Sequence, residues 1–532
     1  MNWMAMVTSE KRIHDHRQNS VLHLNSGRNP MAGLWKFMTL SEAKHAFFWT
    51  SMFLFQVIIC CGANVQESNA DDLSIKTMRI EHLTEGRTHA SLTTTGACFI
   101  LQKDKGIIQV YQRIGGKRKI AEVHLSKDFL EIVKRAPRDR GFEYVWSCGG
   151  KNNPEIIISG DSLIRFNNID NIKIVSPFTP VYRKLNRSNN GLMLLDNRGG
   201  MVINPPENIS LGDYPITVNG SEWKLDSRLK MSTLFLGVCP PREFDWERSK
   251  WPVVHYSSHI KRYPSNEEII QYSQFAKVLE LHQWIWKRRY ENKKDCMDEL
   301  FGKKYNDCSG DTPLWRDHAS DPINNRWIPE DEKELRRVIQ CAHSRGMLVA
   351  VYFNGLKMDS ETILPEAGRL KKKYDLDGIY LDGLLNNTSR GPLDAYLAAR
   401  ELRMLFGDRG WINFHNTNNG YYSPHIHAYM DFITTGEHHG FDKWKSSTFN
   451  ISNAIGGHWP EIPYFWPDPQ MNIKDARPFL RDLADISLRY NNRILFLAGE
   501  GGQWRFWRLY FTPAETEFMK EYYLGRLGKR IQ

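Results

Sequence analysis

A chain of 532 residues exceeds the usual size of one domain, and its 41% apolar content can supply a sizeable core, so two domains are expected. The formal charge of +10 is spread thinly, +2 in residues 1–70 and +8 beyond them. No long basic tract or nucleic-acid motif accompanies it, so a nucleic-acid partner is not expected, whereas a polyanionic substrate fits.

Residues 1–70 read as a leader. Within it, residues 46–63 (AFFWTSMFLFQVIICCGA) form the one strongly apolar stretch, preceded by Lys44 and His45. A basic flank, an apolar core and small residues after it describe a secretory signal. The run is also long enough for a membrane anchor. The signal reading is preferred because Cys61, Gly62 and Ala63 are small and polar chain follows. Its distance from Met1 points to initiation at Met31 or Met38. A secreted or periplasmic protein is expected, touching a membrane only if this segment is kept as an anchor.

Eight cysteines occur, two of them inside the apolar run. Cys296 and Cys308 lie in a polar stretch and could staple a loop in an exported protein. Cys98, Cys148, Cys239 and Cys341 have apolar surroundings and read as buried thiols. There is no C-x-x-C, which argues against a zinc ribbon. No cofactor is expected, and the oligomeric state is not legible.

Residues 71–230 have β texture. Short runs such as ACFILQ, GIIQVYQ, EIIIS and GMVIN alternate with Gly, Asn, Asp and Pro, which predicts a β-sandwich. No catalytic cluster falls there. From residue 231 to 532 the texture becomes α/β. Ser232–Val238 reads as a first strand and Lys277–Trp286 as a second. Ser265 with Glu268 forms a capping box for the helix between them. The segment 329–344 is an amphipathic helix with Leu335, Val338, Ile339 and Ala342 on one side. Further strands are predicted at 347–353, 379–381, 411–415, 431–435, 454–457 and 494–498. Alternation at this spacing predicts a parallel sheet, and about eight strands predict a (β/α)8 TIM-type barrel.

The stretch YDLDGIYLDGL, residues 374–384, holds the chemistry. Asp382 closes a short apolar strand, where barrel enzymes place catalytic carboxylates. It could equally cap a turn, since Asp-Gly is common turn chemistry. Asp377 precedes the strand and should cap it at the far end. Glu437 follows the sixth strand in FITTGEHHG. Two carboxylates across one pocket are what glycoside hydrolysis requires. A gap of about 5–5.5 Å predicts retention of configuration and about 6.5–9.5 Å predicts inversion. Asp382 would be the nucleophile or would stabilise positive charge at the anomeric carbon. Glu437 would be the acid/base, kept protonated by burial and by the nearby Asp382. The alternative for Glu437 is a partner of His438 or His439.

DGIYLDG resembles the fourth-strand signature of retaining α-glycosidase barrels, the α-galactosidases and α-glucosidases. That resemblance implies a nucleophilic Asp at 382, an acid/base carboxylate after the sixth strand and a β-sandwich ahead of the barrel. DGIYLDG together with INFHNTNNGYYSPHIHAYMDFITTGEHHGFD is similar to uncharacterised barrel proteins near glycoside hydrolase family 123. That family uses an adjacent Asp-Glu pair and the substrate's own acetamide. Here Gly383 follows Asp382, so the pair is absent. The resemblance covers roughly residues 340–445.

Tyr352 and Asn354 end the third strand, and His415 and Asn416 the fifth. With His438 they are candidate substrate-binding residues. His282, Trp284 and Trp286 would share one face of the second strand. Trp286 beside Lys287, Arg288 and Arg289 would make a sugar platform next to cations, suited to a sulfated or uronate-bearing glycan, although a solvated loop is the preferred reading of this stretch. Glu500 is a reserve carboxylate. Seventeen Trp and 21 Tyr suit sugar stacking, although aromatic cores use them equally.

Two other classes compete. His415, His425, His427, Asp431, His438 and His439 could serve a metal-dependent hydrolase, but no H-E-x-x-H occurs and no metal site is assigned. A barrel that binds glycan without cutting it is the third.

Overall fold

The computed structural model describes the chain from Met78 to Arg526, apart from residues 288–325, 435–458 and 463–476 and a set of shorter loop segments. The chain divides into two units, Met1–Ala70 and Asp71–Gln532. The apolar run at 46–63 and the cysteines at 296 and 308 lie outside the described residues. Among those described, no helix is long and apolar enough to cross a membrane. Cys239 is buried, and Cys98 and Cys341 are half-buried.

Strands from Ile80 to Cys239 build two antiparallel sheets of eight strands each. Alternation drives them: His89–Thr94 and Ala97–Gln102 bury every second residue, the period of a pleated strand with one covered face. One apolar cluster draws on both sheets, with Leu92, Phe99 and Val110 from one and Trp146, Phe166 and Leu236 from the other. Each such side chain contributes roughly 1.5–3 kcal/mol on burial. Gly199, at φ 114°, has no room for a side chain, because a Cβ would run into the carbonyl of Cys239.

Met231–Cys239 belongs to this antiparallel part, which corrects its expected place as the first strand of the parallel sheet. It pairs with Leu163–Ile169 on one side and Gly199–Asn204 on the other. Both of its faces are covered. Leu234 and Leu236 enter the cluster that draws on both antiparallel sheets, while Phe235 joins the apolar cluster of the parallel part. A continuous apolar run therefore mimics a parallel strand.

The first parallel strand is instead β1 (Val253–Tyr256). It is followed by β2 (Val278–Leu281), β3 (Leu348–Asn354), β4 (Gly378–Asp382), β5 (Trp411–His415), β6 (Phe432–Thr434), β7 (Trp459–Ile462), β8 (Arg493–Ile494) and β9 (Phe496–Ala498). Their order in the sheet is β8-β7-β6-β5-β4-β3-β2-β1-β9, with every pair parallel. The two edges are thus formed by strands one residue apart in the chain. The sheet is also curled. Glu280 on β2 hydrogen-bonds Trp411 and Asn413 on β5. In a flat sheet those strands would lie about 14 Å apart, three spacings of about 4.8 Å. The expected seventh strand at 454–457 lies outside the described residues, and β7 is found just beyond it.

Helices alternate with these strands. α1 (Asn266–Ser273) carries the expected Ser265/Glu268 capping box. α2 (Glu332–Ser344) starts at the Asp331 cap and buries Leu335, Val338, Ile339 and Ala342. α3 (Ser360–Tyr374) and α4 (Pro392–Phe406) follow, with α5 (Arg477–Tyr490) preceding β8.

The amino-terminal end of the sheet is plugged. Trp411 lies over Phe432 at 4.8 Å and stacks with Trp251 at 6.4 Å. Gly378 on the next strand makes room for Trp411, whose carbonyl and Cβ a methyl group would overlap. Asp431 is clamped by Arg248 at 2.8 Å and Arg403 at 2.6 Å. Burial works against its ionisation, but the guanidinium groups of Arg248, Arg403 and Arg242 prevail and hold its carboxyl below the usual range. Burial pushes Arg242 down to about 10.

The antiparallel part meets α4 through polar groups. Asp161 accepts the hydroxyls of Tyr396 at 2.8 Å and Tyr429 at 2.7 Å. Arg400 and Arg165 converge on Glu143 at 2.9 and 2.6 Å. Burial raises the Asp161 carboxyl above its ordinary value despite the two hydroxyls.

Candidate active site

At the carboxyl ends of the parallel strands, Asn354, Asp382, His415 and Thr434 stand in one register row across β3 to β6. Parallel pairing places them there, since each is the last residue of its strand. Asp382 is the outward member. Its side chain is 23% exposed, against 4% for His415. Each of its oxygens has a side chain close by. The Tyr352 hydroxyl donates to Oδ2 at 3.1 Å, and His415 Nδ1 lies 3.1 Å from Oδ1. Each oxygen keeps a lone pair for a further contact, so the group can act as nucleophile or base.

Beneath this row lies a layer of rings. His282 packs on Tyr352 at 4.4 Å, and Tyr352 stacks with Tyr380 at 6.0 Å. Tyr380 faces His415 at 5.9 Å. His255 meets His282 and Tyr380 edge-on, both at 4.9 Å. Below the layer sits Glu280, fully buried. It accepts from His255 Nδ1 at 3.1 Å, Trp411 Nε1 at 2.9 Å and Asn413 Nδ2 at 2.8 Å. Asn413 Oδ1 in turn accepts from Thr434 at 3.1 Å.

The structure brings together Asp382, Tyr352 and His415, with Asn354 beside them in register. It places Tyr352 and His415 behind the carboxylate as its partners, where the sequence reading had them meeting substrate; their exposures of 1% and 4% leave them little surface to offer. Trp286 is corrected outright. β2 ends at Leu281, and the 3-10 turn Gln283–Ile285 breaks the strand. His282, Trp284 and Trp286 therefore do not share a strand face. Trp286 has no exposed surface, donates to the Tyr352 carbonyl at 2.8 Å and packs against Trp327. It is a core residue and offers no sugar platform.

Asn416, Glu437 and His438 lie outside the described residues, as do His425, His427, His439 and Glu500. Asp431, weighed as a metal ligand, is occupied by arginines at the amino-terminal end. Among the described residues no group of three or more His, Cys, Asp or Glu could hold a metal ion. Asp377 accepts from Val349 N at 2.8 Å and pairs with His343 at 2.7 Å, away from the row. Glu280 and His255 escaped the sequence reading. The signal was there: a lone Glu inside VLEL and a lone His inside VVHY are polar residues in buried strands, which need internal partners.

No family model matches the chain, and no curated protein matches it. Similarity is found among solved structures. A noncanonic maltogenic alpha-amylase, AmyB from Thermotoga neapolitana, is 11% identical with a TM-score of 0.33, over 52% of this chain and 75% of that one. TtGalA, an alpha-galactosidase from Thermus thermophilus seen in complex with stachyose, is 9% identical with a TM-score of 0.35, over 84% and 96%. A Flavobacterium johnsoniae GH31 dextranase complexed with glucose is 9% identical with a TM-score of 0.32, over 84% and 68%. Likeness at this level assigns no activity.

Proposed function

We propose that this protein is a glycoside hydrolase, a β-sandwich joined to a closed (β/α)8 barrel, that cleaves a glycosidic bond in an oligo- or polysaccharide with two carboxylates. The observation that carries the reading is Asp382. It ends β4, is the most exposed member of its register row, accepts the Tyr352 hydroxyl on one oxygen and has the His415 ring 3.1 Å from the other. Asp382 attacks the anomeric carbon, or stabilises positive charge there, while Glu437 gives its proton to the departing oxygen. Water then completes hydrolysis with Glu437 acting as base. Curling of the sheet and the adjacency of its edge strands support closure. Acetamide assistance is left aside because Gly383 stands where an acidic neighbour would be needed.

With Trp286 in the core, only the net charge of +10 favours an anionic glycan. Residues 46–63 are proposed to direct export, with retention as an anchor the alternative. The test is release of reducing ends from plant, algal and host glycans by purified protein with chelator present. Loss of release in both Asp382→Asn and Glu437→Gln is expected. Activity retained by either variant overturns its assigned role. Glycan binding without release by the unmodified protein would instead mark a non-catalytic glycan-binding protein.

A further inference from the structure

Glu280 is a buried charged group that the two-carboxylate reading does not use. Placing a carboxylate in the interior costs several kcal/mol unless donors and a counter-charge meet it. Trp411 and Asn413 supply neutral donors, both to Oε1. His255, on β1, is the basic group in contact with it, through Nδ1 at 3.1 Å from Oε2. The contacts reach β1, β2 and β5 together, and Asn413 extends them to β6. The rings that rest on His255 are those of His282 and Tyr380. His282 touches Tyr352, the donor to Asp382 Oδ2, and Tyr380 faces His415, the partner of Oδ1. Both supports of Asp382 therefore stand on rings carried by His255.

We propose that Glu280 and His255 form a buried ion pair that acts as a positioning pair for Asp382, carrying the ring layer under it and setting the field in which that carboxylate works. The inference rests on the reading of Asp382 as the reacting carboxylate. Glu280 and His255 touch no substrate in this account and act only through Tyr352, His415 and their own charges. The titratable groups around the layer, among the described residues, are His255, Glu280, His282, Tyr352, Tyr380, His415 and Asp382.

The two members of the pair oppose each other in sign. Removing the Glu280 charge takes a negative group from beneath Asp382 and favours its ionised form; removing the His255 charge does the reverse. The test labels Asp382 in the full chain with a water-soluble carbodiimide and glycine methyl ester across pH, read by peptide mass, so no substrate is needed. Glu280→Gln is isosteric. Its Oε1 keeps the bonds from Trp411 and Asn413. The labelling midpoint is expected to fall. His255→Asn keeps an amide donor near the Nδ1 position and is expected to raise it. Unmoved midpoints, or shifts of the same sign, overturn the proposal. If Glu280→Gln does not fold, His255→Asn decides alone, and an unmoved or lowered midpoint overturns it. Asp382→Asn is assayed in parallel on glycans. Retained activity there defeats the functional reading whatever the labelling shows, while lost activity with unmoved midpoints defeats only the ion pair.

Discussion

His415 stands behind Asp382. The two are paired in register on adjacent strands, Nδ1 lies 3.1 Å from Oδ1, and the imidazole is nearly buried while the carboxylate reaches outward. That order in depth makes the imidazole a holder of the carboxylate. Tyr352 holds the other oxygen by a hydrogen bond from its hydroxyl.

Tyr352→Phe therefore removes one hydrogen bond to a charged group and little packing. Such a bond contributes about 1.5–3 kcal/mol, which corresponds to a fall of roughly 10- to 100-fold in kcat. KM should hardly change, because the hydroxyl is turned to Asp382. Steady-state kinetics on whichever glycan is cleaved checks this. A raised KM with unchanged kcat would return Tyr352 to direct substrate contact.

Trp286→Ala should act on stability. The ring is fully buried and packs against Trp327 and Phe353. Losing a buried aromatic of this size costs about 3–5 kcal/mol. Thermal unfolding should show a clear drop in Tm, while glycan affinity of the folded fraction stays unchanged. Weaker binding with an unchanged Tm would restore the platform.

The ease of reading differed between elements for physical reasons. The capping box at Ser265 and the apolar side of α2 are local patterns, and both were legible from spacing alone. The place of Asp382 at a strand end was legible because an apolar run ends on it. Trp286 misled because period two holds only while a strand lasts, and nothing in LHQWIW announces that the strand stops at Leu281. Met231–Cys239 misled because burial on two faces erases the alternation that marks an antiparallel strand. Glu280 was passed over because its partners come from strands far away in sequence. Contacts such as Glu280 to Asn413 follow from how the sheet curls.

Gly378→Ala tests that curl. The added methyl would fall on the carbonyl and Cβ of Trp411, both held by the neighbouring strand and the plug beneath it. Overpacking of this kind costs about 1–3 kcal/mol, occasionally more. Denaturant unfolding should show a lower midpoint with an unchanged m-value. A variant as stable as the parent would mean that Trp411 does not fill the interior at this level.

Asp161 and Asp431 should give opposite pH dependences. Burial raises Asp161 above 3.8 in the folded protein. The folded state thus binds this proton more tightly than the unfolded one. Its contribution is fully present below about 3.8 and is lost as pH rises through the folded value. Asp431 is held below 3.8 by its arginines. Its contribution is present above about 3.8 and is lost as pH falls through the folded value. The Tm difference between wild type and Asp161→Asn should accordingly move against wild type as pH rises through this window. That between wild type and Asp431→Asn should move in its favour. At neutral pH Asp431→Asn should also cost about 3–5 kcal/mol, because Arg248 and Arg403 lose their counter-charge inside the protein. Calorimetry of the three proteins between pH 3 and 7 checks both signs at once, and parallel curves would show that neither carboxyl has the environment described.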